Sequence, residues 1–423
     1  MNMVQAGERT SWDKEARTVA DLGAWRSEYG YVEEPYASPD GEKVAAVVRT
    51  GEAEFGVRVN DALWEETFDK AWYPRFSPDG RLAVIVSRDG EWTVAVDGAP
   101  WEESFEFVWD LRFSRDGSCI LAAVKQDGLY KAAKDGSAWE NGFCDLTNLS
   151  VSPSGDAAAV VAVKQLAQAD IYGFQEGIYS VCVNGTVWNR SFVNAWAPVF
   201  SPDGRHVASQ VRQSLYDYSI AVNGTCWDKT FSGVWEPCFQ PGDGSVWAPC
   251  RTAAGSWSLF RDGQQAWGKG FVQLWRPTFS PDGRSLAAIV APRFGRWTAA
   301  VDGKAWKPTF GDLACDLAFS PDGKRLACLG KDKGQWFVAV DGKVWPGAFD
   351  RAWKPVFSAD GFRVAARVKK NGSEAVLVDG RVVKDGFSKV FDPAFSLDGS
   401  KVLIRGVLKG GDGEKYVRIV ERA

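Results

Sequence analysis

Trp72-Tyr-Pro-Arg-Phe-Ser-Pro-Asp-Gly80, followed by Arg81-Leu-Ala-Val-Ile-Val86, Asp89-Gly90, Trp92-Thr-Val-Ala-Val96, Asp97-Gly98 and Trp101, decides the fold. In Pro78-Asp79-Gly80 the proline presets φ and the glycine tolerates positive φ, which makes a tight turn. The continuous apolar character of Arg81 to Val86 reads as a buried strand. Asp89-Gly90 and Asp97-Gly98 return the chain twice more, with a fourth strand expected to begin near Trp101. Four short antiparallel strands in about 40 residues describe one propeller blade.

The same stretch recurs along the chain. Anchored on the glycine of its Ser-Pro-Asp-Gly turn, it appears at Gly41, Gly80, Gly117, Gly155, Gly204, Gly244, Gly283, Gly323, Gly361 and Gly399, with gaps of 39, 37, 38, 49, 40, 39, 40, 38 and 38 residues. Ten copies predict an all-β propeller of about ten four-stranded blades. Residues 1–15 read as an N-terminal extension and 16–423 as a single propeller. After Gly399 there is room for strands at Lys401 to Val407 and Lys415 to Val420 but not for a fourth. Trp25 lies 16 residues before Gly41 and Ala20-Asp-Leu-Gly-Ala-Trp25 matches Val301-Asp-Gly-Lys-Ala-Trp306, so an N-terminal strand is expected to complete the last blade, pairing residues near 20 with residues near 415. Such an exchange covers both edge strands. Because rings of four to eight blades are usual, two five-bladed propellers are the competing arrangement.

Tryptophan is used systematically. The chain has 21. One class ends the element Val-Asp/Asn-Gly-x-x-Trp, at Trp101, Trp188, Trp227, Trp306 and Trp345, with looser copies at Trp64, Trp139 and Trp267 and Val383 in the last copy. A second class, Trp72, Trp109, Trp196, Trp235, Trp275 and Trp353, precedes the anchor glycine by 8 or 9 residues. Fixed places in every repeat point to packing between blades, where truncating one indole costs about 3–5 kcal/mol. The competing reading is an exposed aromatic ladder for a ligand or partner.

Composition narrows the function. Lys plus Arg number 50 against 54 Asp plus Glu, a net charge of −4, which lacks the basic excess of a nucleic-acid binder. The one histidine, His206, follows the Ser201-Pro-Asp-Gly204 turn in the slot of Leu82, so histidine-built metal sites are excluded and a structural role is expected. The cysteines (Cys119, Cys144, Cys182, Cys226, Cys238, Cys250, Cys315, Cys328) form no Cys-x-x-Cys and are expected to stay reduced. No Gly-x-Ser-x-Gly elbow, P-loop or dinucleotide fingerprint is present. The repeated carboxylates Asp40, Asp79, Asp116, Asp203, Asp282 and Asp322 each sit inside a turn, and turn chemistry accounts for them. No enzyme activity, cofactor or metal is therefore expected. The first residues carry no secretory apolar stretch, and the longest apolar run, Ala157 to Val163, is too short for a membrane span. A cytoplasmic chain is expected.

The fourth repeat alone is longer, with Gln165 to Tyr179 inserted between its second and third strands. Insertions of this kind map to a loop on one face, either a partner-binding loop or a solvated hairpin. Tyr172, Phe174 and Tyr179 are the candidate interface residues.

The Phe-Ser-Pro-Asp-Gly units resemble the WD40-like Pro-Asp-Gly repeats of TolB-type propellers over nearly the whole chain. Combined with Val-Asp-Gly-x-x-Trp and the tryptophan content, they are also similar to the tryptophan-rich D-subunit family of the Tmc transmembrane electron-transfer complex of sulfate-reducing bacteria. That resemblance implies a cofactor-free, non-catalytic accessory or scaffold subunit of a membrane-bound respiratory redox complex. It would sit peripherally on the inner face of the membrane, its partners being iron–sulfur and haem-containing subunits. The alternatives are a stand-alone propeller with a peptide or small ligand in its central channel, and an enzyme with paired carboxylates at the channel mouth.

Overall fold

In a computed structural model, which describes residues 11–13, 16–167, 170–411 and 413–423, each anchor turn joins the first two strands of an antiparallel sheet. Of the expected extension 1–15, residues 1–10 and 14–15 lie outside the described residues. In the second repeat the strands are Lys70–Phe76, Leu82–Arg88, Glu91–Val96 and Ala99–Pro100. The second strand is buried from Leu82 to Ser87 because it is covered on both sides by neighbouring sheets. This is why it reads as an unbroken apolar run rather than an alternating one.

The fourth strand differs from expectation. It is Ala99–Pro100 and ends before Trp101, whose N–H donates to the Val94 carbonyl at 2.9 Å. The chain then turns and touches the third strand again through a single bridge, Trp92 to Phe105. The large indole leaves the ladder to pack sideways, so the ladder stops where it begins.

Eight sheets of four strands stand separately, and the remaining strands form one sheet of nine. That larger sheet joins two units through one strand. Arg381–Val390 pairs with Ser373–Val378 as the outer strand of unit 9, then continues as an inner strand against Lys401–Gly410 of unit 10. Val383 stands where other units have tryptophan, so no indole breaks this strand. The sheets thus account for all ten repeats.

Among the described residues ten apolar clusters lie between consecutive units. The cluster of Val47, Val57, Leu82 and Val84 joins units 1 and 2, and that of Ala208, Ile220, Val246 and Phe260 joins units 5 and 6. Trp25, Val44, Val407 and Tyr416 join the last unit to the first. The clusters form one cycle, as a single ring requires, whereas two rings of five would break it between units 5 and 6.

Closure follows the expected exchange with a local difference. The strand Ala16–Asp21 pairs with Gly413–Arg422, placing Ala20 opposite Tyr416 and Asp21 opposite Lys415. Trp25 does not end a strand; it lies in the helix Leu22–Tyr29. Asp21 caps that helix by accepting the Ala24 N–H at 2.9 Å, and Gly30 ends it at φ +66°. The segment Leu22-Gly-Ala-Trp-Arg-Ser-Glu-Tyr29 has no β-branched residue to oppose helix formation.

The seam also holds polar contacts that the repeat pattern does not announce. Arg405 Nη1 donates to the Ser38 carbonyl at 2.5 Å, Tyr416 Oη to Gly41 at 3.2 Å and Arg418 Nε to Asp40 at 3.0 Å. Three side chains of the last unit therefore grip the anchor turn of the first. Arg418 is 1% exposed and also pairs with Glu42 at 3.0 Å.

Candidate functional site

The anchor turns come first, because their carboxylates look reactive in sequence. In unit 3, Ser114 Oγ donates to Asp116 Oδ1 at 2.7 Å, and the same oxygen accepts the Ser118 N–H at 3.0 Å. These bonds, the serine hydroxyl foremost, lower the Asp116 carboxyl to about 2, and the same arrangement lowers Asp398 to about 2. Asp203, Asp282, Asp322 and Asp360 are lowered in the same way, first by their serine partners. The second recurrent aspartate ties hairpins together: Asp97 Oδ1 accepts the Leu82 N–H and Asp302 Oδ1 the Leu286 N–H, both at 2.9 Å. Both sets are spent on turns.

The first tryptophan class packs between units. Each ring lies against the next unit's Asp-Gly hairpin: a Cβ on Gly136 would stand 3.2 Å from Trp101 Cγ, and one on Gly380 would stand 3.3 Å from Trp345 Cγ. Glycine is required there twice over, by its φ of +93° at Gly136 and by the indole above it. This explains the spacing Val-Asp-Gly-x-x-Trp.

The second class behaves differently. Five of its six rings meet the first aromatic residue of their own unit's third strand, as in Trp72 with Trp92 at 4.3 Å, Trp275 with Trp297 at 4.4 Å and Trp235 with Trp257 at 5.5 Å, whereas the third strand of Trp353's unit, Ser373–Val378, has no aromatic residue. Trp72, Trp109 and Trp275 border inter-unit clusters. Trp196 and Trp235 instead line a cleft of about 760 Å³ across units 5 to 7, together with Tyr218, Trp257 and Trp275. Trp235 is 42% exposed. At the rim, Glu236 Oε1 lies 3.6 Å from Arg276 Nε.

The strand directions put this cleft on one face. Anchor turns and Asp-Gly hairpins share one edge of each sheet; the turns between second and third strands, and the connections between units, share the other. The same edge carries the most exposed aromatics among the described residues, Tyr172 (83%), Tyr216 (80%) and Phe294 (92%), on the second-to-third-strand turns of units 4, 5 and 7. The opposite edge also exposes apolar residues, Phe362 and Val382 in unit 9 and Leu397 in unit 10, of which Phe362 is the one aromatic among the described residues.

The three residues proposed from sequence do not form one cluster. Tyr172 is on the short helix Ile171–Glu176 and points into solvent; Phe174 on the same helix is half-buried. Tyr179 opens the third strand, bridges Phe192 and packs against the cluster between units 4 and 5, the position held by Trp92 in unit 2. His206 is exposed, 2.8 Å from the Asn223 amide through Nδ1. It does not occupy the Leu82 slot, which Val207 takes, because this anchor turn is one residue longer: Ser201 N–H bonds His206, whereas Ser77 N–H bonds Arg81.

Among the described residues no group of three or more His, Cys, Asp or Glu comes together as metal ligands. The eight cysteines are unbridged, and burial pushes the Cys182 thiol up to about 12 and raises Cys238, Cys250 and Cys328 as well. Glu33 is the one carboxylate among the described residues raised from its ordinary value, by burial. Among the described residues no helix is long and apolar enough to cross a membrane.

The cleft was not legible as a cleft in the sequence. Its tryptophans occupy the same repeat position as buried ones, and only Gly233 two residues earlier, where other units carry a large side chain, marks the place.

No family model matches this chain, and no curated protein matches it. Among solved structures it is similar to a eukaryotic initiation factor, with TM-score 0.49 and 12% identity, covering 81% of this chain and 90% of that one. It is also similar to the Dos1 propeller, with TM-score 0.38 and 12% identity over 97% and 94% of the two chains. A prolyl endopeptidase aligns with TM-score 0.37 and 12% identity over 71% of this chain and 54% of its own. At such identities and scores the names of these proteins say nothing about what this one does.

Proposed function

We propose that this chain is a non-catalytic scaffold acting through protein–protein contacts, with the face of the second-to-third-strand turns of units 4 to 7 as its docking surface. The observation that carries this reading is that Tyr172, Tyr216 and Phe294, each at least 80% exposed, stand on turns at the same edge of the sheets as the tryptophan-lined cleft. Soluble monomers rarely leave large apolar groups grouped on one face unless a partner covers them. Tyrosine, tryptophan and phenylalanine are also the residues enriched at the centres of interfaces.

In its finer form the reading makes the chain a cytoplasmic accessory subunit of a membrane-bound respiratory electron-transfer complex, held on the inner face of the membrane by iron–sulfur and haem-containing subunits. The likeness of its Phe-Ser-Pro-Asp-Gly and Val-Asp-Gly-x-x-Trp units to the Tmc D subunit supports that form. The test is affinity purification of the tagged chain from a mild detergent extract of its native cells. The chain itself should be colourless and should bring iron–sulfur and haem proteins with it. A Tyr216→Ser/Phe294→Ser variant should lose them while keeping its melting temperature. Purification of the chain alone, at native expression, would overturn the reading.

A further inference from the structure

The repeat supplies its own comparison for the cleft. On the same face, most units lay one of their own cations over the aromatic rings. Lys70 lies 5.7 Å from the Trp92 ring, Arg351 5.1 Å from Trp353 and Lys389 4.9 Å from Phe391, each cation standing two residues before its unit's second-class aromatic position. Elsewhere the cation comes from the adjoining second strand: Lys125 over Tyr130 at 5.9 Å, Arg212 over Tyr218 at 5.7 Å, Lys331 over Trp336 at 5.5 Å and Arg367 over Trp353 at 4.0 Å.

Among the described residues units 1, 4, 6 and 7 show no such pair, and of these units 6 and 7 stand side by side. Two residues before Trp235 stands Gly233, and its neighbour on the second strand, Arg251, is turned away to donate to the Gly255 carbonyl at 3.3 Å. In unit 7 the same two places hold Gln273 and Ala291. Among the described residues no cation of this chain lies over Trp235, Trp257, Trp275 or Trp297. The cleft opens where the internal cation is missing, and Gly233 lines it. Gln273 keeps a buried Oε1 without a hydrogen-bond partner, an acceptor left over in the same row.

The geometry points to the cleft as a receptor for an arginine side chain of the docked partner, which supplies in trans the cation that sister units supply in cis. This rests on the scaffold reading above and names the chemistry of its contact. A guanidinium is planar, weakly hydrated and stacks on indoles. Trp235 and Trp257 offer nearly parallel rings, 18° apart. Glu236 offers a carboxylate whose present partner, Arg276, is held only in an exposed pair with side chains 44% and 74% accessible. Such pairs contribute little and exchange readily. The net charge of −4 favours a basic visitor.

The test uses acetyl-Gly-Arg-Gly-amide and its neutral citrulline analogue, titrated by calorimetry into the whole protein. The arginine peptide should bind at least about tenfold more tightly, the margin expected of a desolvated cation–π contact. Gly233→Lys fills the slot in cis, as Lys70 does in unit 2. A Cβ there meets Trp257 Cη2 at 3.2 Å, which a small ring shift relieves, so the fold should survive. This variant should abolish the arginine preference, as should Trp235→Ala, while Glu236→Gln weakens it and Arg276→Ala strengthens it.

Equal binding of the two peptides, binding of neither up to about 20 mM, or a preference that survives both Gly233→Lys and Trp235→Ala would overturn the inference. Pull-down of native partners separates it from the scaffold reading. Partners retained by Gly233→Lys sink the arginine site and leave the scaffold. An arginine preference in a protein that captures no partner keeps the site and sinks the scaffold.

Discussion

Truncating Trp25 to alanine should open the ring at its seam. The side chain is 2% exposed and packs with Leu22, Val44, Val48, Val407 and Tyr416, residues contributed by both ends of the chain. Burying an indole removes about 150–250 Å² from water, which at about 25 cal/mol/Å² is about 4–6 kcal/mol. Measured Trp→Ala losses run about 3–5 kcal/mol because the site partly collapses. The Arg58 guanidinium, 5.8 Å above the ring, loses a further contact of about 0.5–1 kcal/mol. A cost of about 4 kcal/mol corresponds to roughly a thousandfold in the equilibrium for opening the junction between the last unit and the first. Native-state amide exchange reads this directly: amides in Gly413–Arg422 and Val44–Gly51 should exchange roughly a thousandfold faster, while those of units 4 to 6 change little. Trp306→Ala, at the junction of units 7 and 8, is the control and should leave exchange at the seam unchanged. A change of less than about 1 kcal/mol for Trp25→Ala, with less than tenfold faster exchange in Gly413–Arg422, would refute the idea that this tryptophan locks a closed ring.

Other consequences follow from the turns and the packing. Gly136→Ala should cost about 1–2 kcal/mol for its left-handed backbone, and combining it with Trp101→Ala should cost less than the sum, since both disturb one contact; urea unfolding of the single and double variants measures the coupling. Asp116 and Asp398 should titrate at about 2 rather than at the ordinary 3.8, followed by carboxyl carbon shifts in NMR. Because these folded-state values are depressed, their stabilising contribution is present above about 3.8 and disappears as the pH falls through about 2. Ser114→Ala should move Asp116 upward and leave Asp398 where it is. At pH 8 a thiol reagent should modify the exposed Cys144 first and leave the buried Cys182, Cys250 and Cys328 unreacted until the protein unfolds; early reaction at Cys182, whose thiol sits at about 12, would contradict its burial.

Local chemistry, written ten times, settled the unit in advance. Pro-Asp-Gly, Asp-Gly and the apolar second strand act within a few residues, so strand order, turn positions and the insertion at 165–179 could be read directly from the sequence. The closing strand was also readable, because an incomplete last unit implies a donor at the other end. The spacing of Trp25 matches that of Trp306 and so suggests a strand, whereas the capping carboxylate of Asp21 and the absence of β-branched neighbours fold it into a helix. A one-residue difference in turn length, invisible in the motif itself, moves His206 out of the Leu82 slot.

What only the tertiary structure decided are properties of neighbours distant in sequence. Arg405 and Arg418 are ordinary basic residues until the ring brings them onto the Ser38–Gly41 turn some 370 residues away. Trp72 and Trp235 share a repeat position, yet Trp72 borders a core and, with Lys70, a pocket of about 290 Å³, while Trp235 lines the cleft of about 760 Å³, where Gly233 stands at the position of Lys70. Repetition fixes what each unit is; which surfaces stay uncovered depends on the few places where adjoining units are unequal, and those become visible once the units stand side by side.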